Sequence, residues 1–414
     1  MSPPTDRLLQ IFERALLRLP HLPEIWGYFR AEQLHRKYET RREHYAQRAQ
    51  TQGLVYRESE VIKAVRDLLG KRDSSPHPRR MGGIHTFAFV PDLGWHRELL
   101  PDLRSLGPLT VFDYVSLGFR WEEFWKADRA GLARRRAMNE RFWSALKETH
   151  EARPVDWVFV YASGTEISAG VIRRISEELG IPTVNMCLDD KQSWTGPFMG
   201  DHPGGQIGIA SAFDLSWTSA RVACDWYLVE GGRPIYLPEG FDASTHHPMK
   251  VEQDIPVSFI GGAYGYRPAV INYLLKRGVP VQTFGHGWPG SQWIANPNEI
   301  MNRSVINLGM GGIGYSERLT NVKGRDFEIT GTGGGVYLTN FNADLARHFM
   351  VGDEILCYSH RDEMLELIRY YLDHPDEARA IGKRGHERGW REHRWLHRYQ
   401  RILEVLEILE GKNS

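Results

Sequence analysis

The chain has 414 residues, enough for two or three domains at roughly 150 residues each. Its 52 Lys and Arg balance its 52 Asp and Glu, so bulk charge gives no sign of a polyanion binder, and a nucleic-acid role would need a local patch. With 41% hydrophobic and 25% charged residues the mix is globular.

No stretch approaches the ~18 apolar residues of a membrane helix. Residues 1–7 lack the basic-then-apolar layout of a secretory signal. Cys187, Cys224 and Cys357 form neither a disulfide framework nor a metal pattern. The expectation is a cytoplasmic protein with no transmembrane segment.

Residues 8–70 read as helical. Leu8, Leu9, Ile11, Phe12, Ala15 and Leu16 recur at helical spacing, and Pro20 and Pro23 break the run. A second helix carries Ile25, Trp26, Phe29 and Leu34 into a sign-alternating stretch over 36–48, which reads as a solvated face. A third is predicted over 58–69, followed by a polar linker over 74–80. Short apolar runs then alternate with helical stretches. Strands are predicted at 86–90, 109–113, 155–161, 180–188, 215–218 and 234–237, with helices from about 97 and up to about 179. The rhythm restarts with strands at 256–260, 281–284, 304–308, 335–338 and 354–358. A helix follows the first of these over 267–277. Two long helices close the chain, 361–374 and 375–410, the latter bent near Gly389.

This βαβ rhythm predicts an α/β protein of two Rossmann-like domains with an N-terminal helical extension. The boundaries are 1–80 for the extension, 81–245 and 246–395 for the two domains, and 396–414 for the last helix. Ligand crevices belong at the carboxyl ends of the strands.

Four segments carry candidate chemistry. Phe259-Ile-Gly-Gly-Ala-Tyr-Gly-Tyr-Arg267 runs from strand through glycines to a helix start. Gly261 and Gly262 permit close backbone approach, and Arg267 suits a bidentate phosphate contact. The plainer reading is a tight turn. Residues 322–336 gather Arg325, Glu328, Gly333 and Gly334 before a strand. A glutamate there can hold a ribose and glycine amides a diphosphate; the plainer reading is a flexible surface loop. In Phe284-Gly-His-Gly-Trp288, His286 suits a pyrophosphate or sugar and Trp288 suits stacking, against a loop histidine and a packed tryptophan. The fourth, residues 236–248, reads as a turn-rich junction.

In the first half, Trp95 and His96, Thr165, and the pair Asp189 and Asp190 follow successive strands. Asp189, Asp190 and His96 are the candidate catalytic residues, with a capping role as the bland alternative for the aspartates. His393 and His397 have zinc-pair spacing but no third ligand, so no metal is expected.

Together these segments resemble a GT-B glycosyltransferase, and more narrowly the CgeB-like (spore maturation protein) group with its "glycosyl transferases group 1" domain. Leu237-Pro-Glu-Gly-Phe-Asp242 resembles that superfamily's domain junction. Val257-Ser-Phe-Ile-Gly-Gly262 with Arg267, and Arg325-Asp-Phe-Glu-Ile-Thr-Gly-Thr-Gly-Gly334, resemble its donor-domain motifs. The resemblance implies a metal-independent transferase of hexosyl or related groups, with a lean to retention. The donor would be a nucleotide-diphosphate sugar, UDP- or GDP-linked, with no cofactor besides. It assigns the ribose to Glu328, the second carboxylate of a Glu-x7-Glu pair whose first position holds Thr320. It gives the diphosphate to Arg267 and Arg325. The acceptor, a glycan, protein, lipid-linked glycan or small molecule, would bind the first domain, onto which the last helix crosses back. No nucleic-acid partner is implied. Two other readings share the fold. One is a non-catalytic nucleotide-sugar or glycan-binding protein, and the other is a sugar-nucleotide epimerase. The helices before residue 80 read either as a homo-oligomerisation element or as part of the first domain's own packing.

Overall fold

The computed structural model describes residues 22–72, 77–91, 94–200, 202–290, 294 and 296–410. The helix expected over 8–16, the break at Pro20 and part of the 74–80 linker lie outside the described residues. The chain forms two compact units. The earlier unit is Arg42–Thr245 with Glu392–Ser414, and the later one is residues up to Arg41 with His246–Arg391. Among the described residues, those up to Arg41 fall in the later unit and those from Arg42 in the earlier.

Helix α1 (Leu22–Gln52) runs unbroken. Pro23, expected to precede this helix as a break after the run over 8–16, lies in its first turn, where a missing N–H costs no intrahelical bond. The charged stretch is not wholly solvated, because Tyr45 is buried. The Tyr45 hydroxyl donates to Glu230 at 2.9 Å and accepts from the Trp194 indole at 2.8 Å. Helix α2 (Glu58–Leu69) buries Val61, Val65 and Leu69 in the earlier unit's core.

In the earlier unit a six-stranded parallel sheet has the order β2-β1-β3-β4-β5-β6. Its strands are β1 (Thr86–Phe89), β2 (Leu109–Val111), β3 (Trp157–Val160), β4 (Thr183–Cys187), β5 (Leu215–Thr218) and β6 (Pro234–Tyr236). The connecting helices are α3 (Trp95–Leu106), α4 (Trp121–Phe124), α5 (Arg129–Ala152), α6 (Ala169–Arg174), α7 (Asp190–Ser193) and α8 (Ala223–Val229). Alternation along the strands feeds two cores. Phe87, Phe89, Val158 and Val160 join one, while Ala88, Trp157 and Phe159 join the other.

Helix α5, which the sequence reading did not anticipate, packs Met138, Phe142 and Leu146 onto the first of these faces. Its apolar stripe is masked by two buried polar residues that brace the loop after β3. Arg135 donates to the Gly164 carbonyl at 2.9 Å and Asn139 to the Glu166 carbonyl at 2.9 Å.

The later unit repeats the architecture with a five-stranded parallel sheet ordered β13-β12-β9-β7-β8. In chain order its elements begin with β7 (Ile255–Ile260), α9 (Arg267–Leu275), β8 (Val281–Phe284), α10 (Pro297–Arg303) and β9 (Ser304–Leu308). An antiparallel hairpin, β10 (Gly312–Ile313) and β11 (Ser316–Thr320), follows. Then come α11 (Gly324–Thr332), β12 (Val336–Asn340), β13 (Leu356–Tyr358), α12 (Arg361–Asp373) and α13 (Pro375–Glu392).

The last helix, α14 (Trp395–Val405), belongs to the earlier unit, burying Trp395, Tyr399, Ile402 and Leu403 in its core. The bend expected near Gly389 falls instead at His393 and Arg394, because Gly389 is buried inside α13. The break is fixed by backbone pairing. Phe241 N–H donates to the His393 carbonyl at 3.2 Å, and Trp395 N–H to the Phe241 carbonyl at 3.1 Å.

Each sheet has a point where strand order reverses, between β1 and β3 in the earlier unit and between β7 and β9 in the later. The connections leave that point in opposite directions, which opens a crevice at the strands' carboxyl ends.

Candidate functional site

In the later unit the chain leaves β7 at this reversal point and turns through Gly261, with a positive φ of 156°. A Cβ on Gly261 would lie 3.1 Å from Arg325 Nη2 and 3.4 Å from Arg267 Nη1, so glycine is what lets both guanidiniums close on the backbone. Arg267 opens α9 and is 5% exposed. It donates to the Gly262 carbonyl at 3.2 Å and stacks 4.1 Å from the Tyr264 ring centroid. Its buried Nε has no partner among the described residues. Burial, and then the like charge of Arg325, hold the Arg267 pKa below its ordinary value. Among the described residues neither arginine forms an ion pair, so two cations converge on a glycine turn with no carboxylate between them.

Arg325 comes from the first turn of α11. Residues 322–336, whose glycines predict a loop, contain a nine-residue helix. Its start is held by Asp326, whose carboxylate accepts the Lys323 N–H at 2.8 Å and the Tyr337 hydroxyl. Burial pushes that carboxyl up to about 6. Three residues after Arg325, on the same helix face, stands Glu328. Its carboxylate lies within 4.8 Å of a ring nitrogen of His246.

Gly333 and Gly334 are not part of this cluster, contrary to the expected diphosphate role. They end α11, about 12 Å along the helix from Arg325, where carbonyls rather than amides face outward. Gly333 supplies the left-handed turn at φ 68°. A Cβ on Gly334 would lie 2.4 Å from the Asn302 backbone, so this glycine serves packing. Trp288 is also reassigned. It is 8% exposed, its indole donates to the Gly261 carbonyl at 2.7 Å, and its ring meets Phe259 edge-on. It braces the glycine turn and offers no open stacking face. His286 sits in the adjoining loop, where its carbonyl accepts the Ala263 N–H at 2.8 Å. Thr320 ends β11. The carboxylate nearest to it on that strand, Glu317, is already engaged by Arg361.

In the earlier unit a cavity of ≈ 210 Å³ opens beyond β1 and β3. Trp95 and Asp189 line it; His96 and Asp190 do not. The His96 Nε2 is bonded to the Val90 carbonyl at 2.8 Å. Asp190 is fully buried, accepts from Thr218 and from the Tyr227 hydroxyl at 2.9 Å, and is pushed by burial up to about 7. Asp190 is therefore turned into packing, His96 is half-buried against the backbone, and neither lines the cavity. Thr165 is likewise buried. His393 is held by Arg398 at 2.9 Å, while burial and the Arg394 and Arg398 charges drive His397 down to about 4, so this pair serves the start of α14.

Sequence reading missed the Phe259 platform, the Tyr264 stack and, in the cavity, Glu166, Trp121 and Trp125. The spacing Ser163-x-x-Glu166 was the available signal for the last group. The Glu166 carboxylate accepts the Ser163 N–H at 2.8 Å in the manner of a capping box.

Residues 268–404 match the family described as glycosyl transferase-like. The match begins one residue after Arg267 and spans Arg325 and Glu328. No functionally curated protein matches the sequence. Among solved structures, HepE from Anabaena in complex with UDP and glucose is similar at 10% identity and a TM-score of 0.51, over 78% of this chain and 99% of that one. That likeness shows the fold, which is GT-B. An α,α-trehalose 6-phosphate synthase from Burkholderia multivorans is similar at 11% identity and a TM-score of 0.49, over 80% and 98% of the two chains. No helix among the described residues is long and apolar enough to cross a membrane.

Proposed function

We propose that this protein is a glycosyltransferase that takes its sugar from a nucleoside-diphosphate donor, UDP-linked in the first instance, held in the later unit. The observation that carries the reading is the unpaired couple of Arg267 and Arg325 at the Gly261 turn. A buried guanidinium and a half-buried one with no carboxylate between them form a site that gains from an anion. A diphosphate fits their paired forks and presents its greatest charge as the glycosidic bond breaks. Glu328, on the same face of α11 as Arg325, accepts hydrogen bonds from the ribose hydroxyls. The complex of HepE with UDP and glucose supports uridine as the base.

In this reading the two arginines supply the positive charge at the leaving group, so transfer proceeds without a metal. Retention of anomeric configuration is part of the proposal and rests on the resemblance of the motifs around Arg325 and Glu328. A second reading, a donor-binding protein without turnover, is favoured by Thr320, which stands where the family carries a carboxylate. The test is a thermal-shift series with UDP, GDP and their sugars, followed by release of UDP from the best donor. Stabilisation together with turnover supports the transferase. Stabilisation without turnover supports the second reading, and stabilisation by neither nucleotide overturns both.

A further inference from the structure

The cavity of the earlier unit has a chemistry that the donor reading does not use. Its walls are aromatic, with Trp95, Tyr161, Trp121 and Trp125 among the lining residues. Trp95 and Tyr161 meet edge-to-face at 5.1 Å, and Trp121 and Trp125 lie 5.4 Å apart with their planes tilted by 59°. Trp125 remains 43% exposed, so one indole presents its ring at the mouth.

Two carboxylates face the same space, those of Glu166 and Asp189. Glu166 is held rigidly. Its Oε1 accepts the Trp121 indole N–H at 3.1 Å, and its Oε2 accepts the Ser163 backbone and hydroxyl at 2.8 and 2.5 Å. Oε1 keeps a lone pair for a further donor, while both acceptor sites of Oε2 are taken by Ser163. Among the described residues no lysine, arginine or histidine lines the cavity.

An acceptor bearing a phosphate or carboxylate would meet the Glu166 and Asp189 side chains here, with no lysine, arginine or histidine among the described lining residues to receive it. A neutral polyhydroxylated ring meets what it needs. Its C–H face lies on indole, and its hydroxyls donate to Glu166 and Asp189. At ≈ 210 Å³ the cavity exceeds the about 150 Å³ that admits a benzene-sized ring, so it takes one ring and not a chain of them. We infer that this cavity is a subsite for a single neutral, unphosphorylated sugar residue, with Trp125 as its platform and Glu166 as its hydroxyl anchor. The inference rests on the transferase reading for its name as an acceptor subsite, but not for its chemistry.

The test uses the full chain. Methyl glucoside, methyl galactoside and methyl N-acetylglucosaminide are titrated by saturation-transfer NMR, alongside glucose 6-phosphate, glucuronate and phenol, and UDP is followed separately by thermal shift. The expected result is binding of at least one methyl glycoside, with the phosphorylated and carboxylated sugars at least tenfold weaker. Trp125→Ala, at a half-exposed position, should weaken the glycoside at least tenfold while UDP stabilisation persists. Glu166→Gln should cut the preference for neutral over anionic sugars. Equal binding of glucose 6-phosphate, preference for phenol, or full glycoside affinity in Trp125→Ala overturns the inference. Absence of glycoside binding beside normal UDP stabilisation overturns it too, and leaves the donor reading intact. Glycoside binding without UDP stabilisation supports the subsite and counts against the donor reading.

Discussion

Arg267 and Arg325 hold their guanidinium carbons at the same distance, 5.6 Å, from the centroid of one buried ring, that of Phe259. The ring's π face offers each cation a weak partner, and a bound anion offers a strong one. Replacing either arginine by methionine should therefore leave the unliganded protein as stable as before, or more so. UDP affinity should fall tenfold to a hundredfold, in keeping with about 1.5–3 kcal/mol for a hydrogen bond to a charged group. Calorimetric titration with UDP measures the loss, and an unchanged affinity in both variants would refute the donor site.

Gly261→Ala tests the close approach itself. The added methyl enters within 3.1–3.4 Å of both guanidiniums and of the Phe259 ring edge, at a backbone angle that L residues avoid. UDP affinity should fall by at least about tenfold, with destabilisation on the order of 1–2 kcal/mol from the strained φ. Chemical denaturation read beside the titration separates the two effects.

Glu328→Gln separates ribose from diphosphate. If Glu328 accepts ribose hydroxyls, UDP binding should weaken about tenfold while inorganic pyrophosphate binds as in the parent protein. Equal loss for both ligands would show that the substitution disturbs the arginine pair instead.

Asp190 predicts a pH dependence of stability. Its ordinary pKa of 3.8 is raised to about 7, chiefly by burial. Between those values the folded chain keeps a proton that the unfolded chain has released. The associated stability is complete below pH 3.8 and is lost as pH rises through about 7. Asp190→Asn carries no such term. The stability of the variant relative to the parent should therefore improve from pH 5 to pH 8 by on the order of 2–4 kcal/mol. Urea midpoints at the two pH values check this, and a constant difference would show that Asp190 does not titrate as described.

If the arginine pair alone neutralises the leaving diphosphate, a chelator should not reduce UDP stabilisation or donor turnover. Loss of either on chelation, restored by a divalent cation, would place a metal in the site.

Much of this was readable from the chain. Strands β8 and β9 were predicted to the residue, because Val281-Gln-Thr-Phe284 and Ser304-Val-Ile-Asn-Leu308 are short apolar runs between polar turns. The parallel βαβ order follows from that rhythm, and Arg267, Arg325 and Gly261 stood out because cations and glycines at strand ends are few. What failed has identifiable causes. Helix α11 hides behind its glycines, since Gly324 and Gly331 lie within it and mimic a loop. Helix α5 hides behind Arg135 and Asn139, polar residues buried to brace a neighbouring loop. Asp190 and His96 look catalytic by residue type and position, yet Tyr227, distant in sequence, holds Asp190 in the interior, and the Val90 carbonyl engages the half-buried His96.

The placement of α14 bears on how the molecule is made. Strand β6 ends at Tyr236, yet the strand residues Trp217 and Phe159 pack against Trp395 and Tyr399 of α14. During synthesis, that half must wait, with an uncovered greasy face, until some 160 further residues have left the ribosome, at roughly 5–20 residues per second. A stop codon before residue 395 would therefore damage the half translated first, and such a truncated product should aggregate even though every strand of both sheets is present.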